Sequence, residues 1–291
     1  MNFLNKIRTL RKVLFIKRHS HDVKKYDDER YNEVLYKLSF GKKGNFKNPK
    51  TFNEHVINIK LYADEDGFEF YTDKYNVRKY VEKQVGEKYL NDVLAVYDSA
   101  DEIDFSTLPE KFALKGTHGS GFNEIVKDKS AVDPDRIKKK FARWMRENYY
   151  YRGRERNYKK IIPHIVCEKY LSSSDGKPLN EVKLMCFRGK VKLIEDTRIV
   201  GGVRCVNVYD ERKQLIDVRA GAGNHEFELP ENIDEMISVA EKLAERFSFV
   251  RVDLYNVDGR IVFSELTFHS GGGFVPFNPS SWDEKLGCLF D

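Results

Sequence analysis

The chain has 291 residues, 33% charged and 41% hydrophobic, with a net charge of +5. That length allows one large domain or two to three modest ones with cores of their own, and no apolar run approaches the ~18 residues a membrane-spanning helix needs. Four scattered cysteines (Cys167, Cys186, Cys205, Cys288) form no CxxC pair, which argues against a disulfide framework or zinc site and for a reducing cytoplasm.

The first eighteen residues do not read as a secretory signal, because basic residues interrupt every apolar run and no small-residue cleavage site follows. Phe3, Leu4, Ile7, Leu10 and Leu14 recur at helical spacing among Lys6, Arg8, Arg11, Lys12, Lys17 and Arg18, with Lys24 and Lys25 beyond. This predicts a basic amphipathic helix. Its apolar stripe packs on the chain's own domain in the plainer reading, and peripheral contact with an anionic membrane surface is the alternative. Elsewhere acids and bases nearly balance, and no helix-turn-helix or aromatic RNA-binding motif occurs, so nucleic acid is not an expected partner.

Residues 1–100 read as mainly helical. Thr51 and Glu54 have capping-box spacing after Asn48-Pro49, and Asp73-Lys74 opens a further helix through Arg78 and Tyr80 to about Val85. A loop at Leu108-Pro109-Glu110 precedes a strand, Phe112 to Lys115, then Gly116-Thr117-His118-Gly119-Ser120-Gly121 and a second strand, Asn123 to Val126. A helix is expected from Asp133 to Tyr149, an apolar strand within Ile161 to Leu171, and a hairpin from Val182–Phe187 to Lys190–Glu195. Ile233, Met236, Ile237, Ala240, Leu243, Ala244 and Phe247 mark one face of a later helix. Strands mixed with helices, without regular βαβ alternation, indicate the α+β class.

Three segments carry chemistry. In the terminal hairpin, Val250, Val252 and Leu254 alternate with Arg251, Asp253 and Tyr255, while Ile261 and Phe263 precede Glu265. Asp253 and Glu265 can share one face, where they would repel unless a cation such as Mg²⁺ lay between them; the bland reading is a hairpin with solvated charges. The glycine-rich stretch joins two strands, so it is neither a Walker A motif nor a dinucleotide fingerprint. It reads as a flap whose N–H groups can approach phosphate, with Lys115 supplying a cation, or as a plain hairpin loop. Val166 to Leu171 can offer backbone groups to an adenine edge, or can be an ordinary core strand.

Taken in order, Asp73-Lys74-Tyr75-x-Val77-Arg78, Lys115-x-x-His118-Gly119-Ser120-Gly121, Lys183-x-x-Cys186-Phe187-x-Gly189-Lys190, and Arg251-Val252-Asp253-Leu254-Tyr255 with Glu265-Leu266-Thr267-Phe268 resemble the TupA-like ATP-grasp proteins. The resemblance covers roughly residues 50 to 291. Those proteins are associated with teichuronopeptide and other cell-surface polysaccharide synthesis. It implies an ATP-grasp fold in which two α+β subdomains clamp ATP: a helical region at 1–100, a small subdomain with the flap at 101–170, and a large subdomain with the metal site at 171–291.

The resemblance also implies roles. Lys74, Lys115, Gly119, Ser120, Gly121, Glu168, Lys169, Tyr170 and Leu171 would bind ATP, and Asp253 and Glu265 would hold Mg²⁺. Arg251, Lys183 and Arg198 are the candidate catalytic cations, with Arg204 beside Arg198 for an acidic substrate. The glycines of His269-Ser270-Gly271-Gly272-Gly273 would let backbone donors reach the reacting centre, or form a linker. Thr267 stands where many members carry a third metal ligand, usually Asn, and Asp175 and Glu181 are the only candidates for a ribose-binding acid. The expected activity is an ATP-dependent carboxylate–amine ligase. It would work in the cytoplasm or at the inner face of the membrane, joining an amine donor to an acidic saccharide or another carboxylate acceptor. A sugar-transferring or kinase-like enzyme and a non-catalytic nucleotide-binding scaffold are the alternatives.

Overall fold

The computed structural model describes residues 3–64, 66–218 and 227–290. Helices open the chain: α1 (Phe3–His19), α2 (Asp28–Phe40), α3 (Phe52–Tyr62), α4 (Phe68–Thr72) and α5 (Val77–Val85). The capping box at α3 forms as expected, with the Thr51 hydroxyl accepting from Glu54 N–H and the Glu54 carboxylate accepting from Thr51 N–H. The helix expected to open at Asp73 begins instead at Val77. The Asp73 carboxylate accepts from Tyr75 and Asn76 N–H, which holds those residues in a turn before the helix can start.

A four-stranded antiparallel sheet follows, built from β1 (Val93–Tyr97), β2 (Phe112–Gly116), β3 (Asn123–Val126) and β4 (Ile165–Lys169) in the order β1-β4-β2-β3. Between β3 and β4 lie α6 (Pro134–Met145) and the short α7 (Tyr150–Gly153). Ile137, Phe141 and Trp144 of α6 lie against Phe112, Leu114 and Cys167, closing one face of this sheet. β1 lies inside the stretch read as mainly helical, and the helix expected to reach Tyr149 stops at Met145.

The second sheet has five antiparallel strands, β5 (Asn180–Phe187), β6 (Lys190–Val200), β7 (Val203–Asp210), β8 (Phe249–Val257) and β9 (Arg260–Thr267), in the order β7-β6-β5-β8-β9. Its even-numbered β5 and β8 residues (Val182, Leu184, Val250, Val252, Leu254) bury against α8 (Ile233–Ala244) and α5. Part of the opposite face, with Met185, Phe187 and Phe249, packs on Phe52 and Val56 of α3 and Leu286 of α9 (Ser281–Gly287). The rest of that face stays open and lines a cleft towards the first sheet.

α1 forms where a basic amphipathic helix was expected, but its inward face differs. Phe15 and Ile16 pack beside Tyr31, Leu35 and Tyr36, with the Phe15 ring 5.2 Å from both Tyr26 and Tyr31. Leu10 and Leu14, read as part of the packing stripe, are 59% and 55% exposed. The aromatic cluster recruits the bulkier Phe15 and turns the leucines outward.

Candidate functional site

Strand register places the key charges. Glu195 of β6 lies opposite Lys183 of β5, Lys183 opposite Asp253 of β8, and Asp253 opposite Glu265 of β9. A β-bulge makes the last step possible: Asp253 pairs with Glu265 while Leu254 pairs with Phe263, so Ser264 has no opposite residue. Without that extra residue Glu265 would fall on the same face as Phe263, which is buried in the core beneath.

Arg251 stands between the two carboxylates. Its guanidinium grips Asp253 through two bonds of 2.7 and 2.6 Å and reaches Glu265 Oε1 at 3.4 Å. Thr267 donates to Glu265 Oε1 at 2.9 Å and accepts from Arg251 at 3.2 Å, so its hydroxyl serves this network. Burial pushes the Asp253 carboxyl up to about 7, with Arg251 pulling against it. Burial also pushes Glu265 up, but Lys74 and Arg251 outweigh it and leave that carboxyl below its ordinary range.

Facing this row is the glycine-rich flap between β2 and β3. Lys74 Nζ donates to Gly119 O at 2.6 Å, latching the flap to the segment before α5. Burial lowers the Lys74 ammonium pKa, against the pull of Glu265. Gly121 adopts φ +75°, and a Cβ on Gly119 would sit 2.5 Å from the Phe122 ring, so both positions require glycine. His118 is buried, its Nε2 donates to Trp144 O at 2.9 Å, and burial lowers its pKa. It is therefore a neutral anchor for the flap's base.

Lys115, at the end of β2, makes a 2.7 Å ion pair with Glu168 of β4, and Asn91 donates to the same carboxylate at 3.3 Å. Burial raises the Glu168 carboxyl, but Lys115, joined by Asn91 and Arg78, holds it below its ordinary value. Lys169 N–H donates to Asp92 O and its carbonyl accepts from Asn91. Of the segment expected to bracket an adenine edge, Lys169 therefore has both backbone groups engaged within the protein, and Tyr170 and Leu171 lie beyond the strand's end.

These groups line one cavity of about 190 Å³, walled by Lys74, Arg78, Lys115, Ser120, Glu168, Lys183, Asp253 and Glu265 among others. Two further cavities adjoin it. One, of about 420 Å³, shares Ser120 and Glu265 with it and adds Lys12, Tyr149, Arg152, Glu155, Tyr158 and Phe274. The other, of about 210 Å³, shares Lys183 and adds Glu195, Arg204, Met185, Val208 and Phe277. Arg251 and Gly271 line both of these neighbours.

The structure does not bring Arg198 to the cleft. Alternation on β6 sends Glu195 and Thr197 one way and Asp196 and Arg198 the other. Arg198 instead grips the buried Asp196 at 2.9 Å, bonds Glu228 O and stacks on Phe227. Arg204, from β7, does reach the cleft face and bonds Glu195 at 3.1 Å. Of the ribose candidates, Glu181 lines the first cavity and pairs with Lys183 at 3.1 Å, whereas Asp175 is tied to Ser173 and Lys177 on an exposed loop. The glycines at 271–273 are no linker: a Cβ on Gly273 would meet Ile57 at 2.5 Å, packing this turn against α3. Sequence reasoning missed Glu195, Asn91 and Glu155, which only cross-strand register and tertiary packing bring to the cleft.

The two carboxylates suit a hard cation. Mg²⁺ keeps several waters and takes one or two carboxylates plus substrate phosphates, so the Asp253–Glu265 pair supplies all the protein need offer. Among the described residues no group of three or more His, Cys, Asp or Glu gathers as a closed metal cage.

A family model described as TupA-like ATPgrasp matches residues 54–291. The chain belongs to the TupA-like ATP-grasp family. No curated protein sequence matches this TupA-like chain. Among solved structures it is similar to the ATP complex of D-alanine–D-alanine ligase from Bacillus anthracis, at 17% identity and TM-score 0.42, covering 69% of this chain and 54% of that one. It is also similar to N5-carboxyaminoimidazole ribonucleotide synthetase bound to ADP, at 15% identity and TM-score 0.44, with 83% and 57% covered. A third is the ATP-grasp ligase PsnB with its minimal precursor, Mg and ADP, at 11% identity and TM-score 0.43, with 94% and 75% covered. The chain spans about half the length of the D-alanine–D-alanine ligase.

Proposed function

We propose that this TupA-like protein is an ATP-dependent carboxylate–amine ligase that forms an amide through an acyl phosphate. Its acceptor would be a uronic-acid-containing surface polysaccharide, its precursor or a related carboxylate, and the amine an amino acid or similar donor. The observation that carries the reading is the Asp253–Glu265 pair, facing a glycine-rich flap across a cavity that also holds Lys74, Lys115 and Lys183.

Phosphoryl transfer needs positioning and charge neutralisation more than a protein base. When bound, Mg²⁺ would neutralise charge on the terminal phosphates. The chain's own residues do the rest. Asp253 and Glu265 hold the cation, and Lys115 leaves Glu168 to meet phosphate oxygens. Gly119, Ser120 and Gly121 cover the phosphates with backbone N–H groups once the Lys74 latch releases. Arg251, which lines both adjoining cavities, steadies the transferred group where the acceptor carboxylate meets it. Arg204 and Lys183 give the carboxylate a cationic wall, while Glu155 gives the amine an acidic one.

The test is ADP release. It should require Mg²⁺ and rise when a uronic acid and an amine are present together. Asp253→Ala or Glu265→Ala should each lower turnover by at least about 10²-fold, the scale of losing one strong transition-state contact. Release of AMP would overturn the acyl-phosphate scheme, and unaltered turnover in both variants would remove the metal assignment. Nucleotide binding with no acceptor-stimulated hydrolysis would mark a scaffold.

A further inference from the structure

α1 carries a charge asymmetry that the ligase reading does not use. Residues 1–26 hold eight basic residues against one acid, Asp22, leaving 43 basic and 45 acidic residues in the rest of the chain. α1 itself contains no Asp or Glu. The whole excess of positive charge is therefore concentrated here.

The helix has two apolar faces. The inner one, Phe15 and Ile16, packs beside Tyr31 and Leu35. The outer one sets Leu10, Val13 and Leu14, 59%, 53% and 55% exposed, side by side at i, i+3 and i+4. Arg11, Lys17 and Arg18, all exposed, lie in or beside this outer stripe. A solvated surface helix would place polar side chains at those three positions. An apolar stripe bordered by cations matches a bilayer's interface, where leucines enter the acyl boundary and Lys and Arg meet anionic headgroups. Cations placed this way are drawn to an anionic leaflet and add to the apolar insertion. A nucleic-acid backbone would use the cations but leave the leucines without a role.

We infer that the outer face of α1 docks on an anionic lipid bilayer, with Leu10, Val13 and Leu14 inserted and Arg11, Lys17 and Arg18 on the headgroups. Lys12 and Ile16, on the inward side of the same helix, line the cavity of about 420 Å³ beside Arg251 and Glu265. Docking therefore sets that cavity one helix thickness from the lipid surface, where a membrane-attached acceptor can reach it.

Flotation of the full chain with vesicles of phosphatidylcholine alone, or with about one-third phosphatidylglycerol, tests this independently of any ligase activity. Binding is expected only to the anionic vesicles and should weaken at high salt. The double variant Leu10→Asp, Leu14→Asp should lose it at least about tenfold, and so should Arg11→Glu with Arg18→Glu. Lys12→Ala, which faces inward, should float like the parent. Far-UV circular dichroism and thermal melts of each variant separate lost binding from lost folding. Failure of the parent to float, or flotation unchanged by the double aspartate variant, overturns the proposal. So does a dimer that the aspartate variant converts to monomer without any vesicle binding, since the stripe would then be covered by a second copy.

Discussion

Arg251 is the residue on which the resting site turns, because it supplies the positive charge that two facing carboxylates need. Replacing it with methionine leaves buried Asp253 without a partner. Removing one member of a buried ion pair costs about 3–5 kcal/mol, which urea unfolding of Arg251→Met would measure. Millimolar Mg²⁺ should restore part of that loss by binding the Asp253–Glu265 pair, and a variant indifferent to Mg²⁺ would rule out that pair as a cation site. Lys115 and Glu168 make a second, pH-marked pair. Because Lys115 holds the Glu168 carboxyl below its ordinary 4.5, the stability it contributes is complete above about that pH and is lost as pH falls through the lowered value. Lys115→Met should therefore cost about 3 kcal/mol at pH 7 and progressively less at a pH well below 4.5, as Glu168 takes up its proton. Equal losses at both pH values would mean that Lys115 acts through packing.

Two elements depend on glycines for reasons of space. In the flap, a Cβ on Gly119 would meet the Phe122 ring at 2.5 Å and Tyr149 at 2.9 Å, and Phe122 anchors the flap through its carbonyl to Gly116 N–H at 2.7 Å. Gly119→Ala should displace the flap and raise KM for ATP several-fold while the melting temperature moves little; steady-state kinetics with varied ATP would show it. In α9, a Cβ on Gly287 would lie 2.1 Å from Lys50 O, at the entrance to α3. That clash involves backbone, so it cannot be relieved by a rotamer change. Gly287→Ala should cost about 1–3 kcal/mol, the range for overpacking, and a chemical denaturation midpoint unaffected by it would show that α9 moves freely on α3.

At the scale of the whole molecule, the cleft lies between two antiparallel sheets of four and five strands, and its first cavity of about 190 Å³ is smaller than the ~300–1,000 Å³ typical of ligand sites. Under the proposed function, nucleotide would enter by lifting the flap and breaking the Lys74–Gly119 bond. A ligand at 100 times its Kd adds about 2.7 kcal/mol, which for a chain of this size raises Tm by roughly 4–5 °C. Scanning calorimetry with Mg-ATP should show that rise. Its absence would contradict a nucleotide site in the cleft.

Much of this was readable from residue order alone, because local rules need only neighbours along the chain. The Thr51–Glu54 box, the strand–glycine–strand flap, the α8 face and the Asp253/Glu265 hairpin are all short-range patterns. Tertiary structure decided what those patterns cannot carry. Arg198 and Arg204 look equivalent around Gly201-Gly202, yet strand parity sends one behind the sheet and the other to the cleft. Glu265 shares the parity of Phe263, and only the bulge at Ser264 turns it to face Asp253. In α1 the spacing marked Leu10 and Leu14 as the packing face, but the aromatic cluster around Phe15 took that place. Periodicity says that a face exists; what lies opposite, one strand or one ring away, determines which way it points.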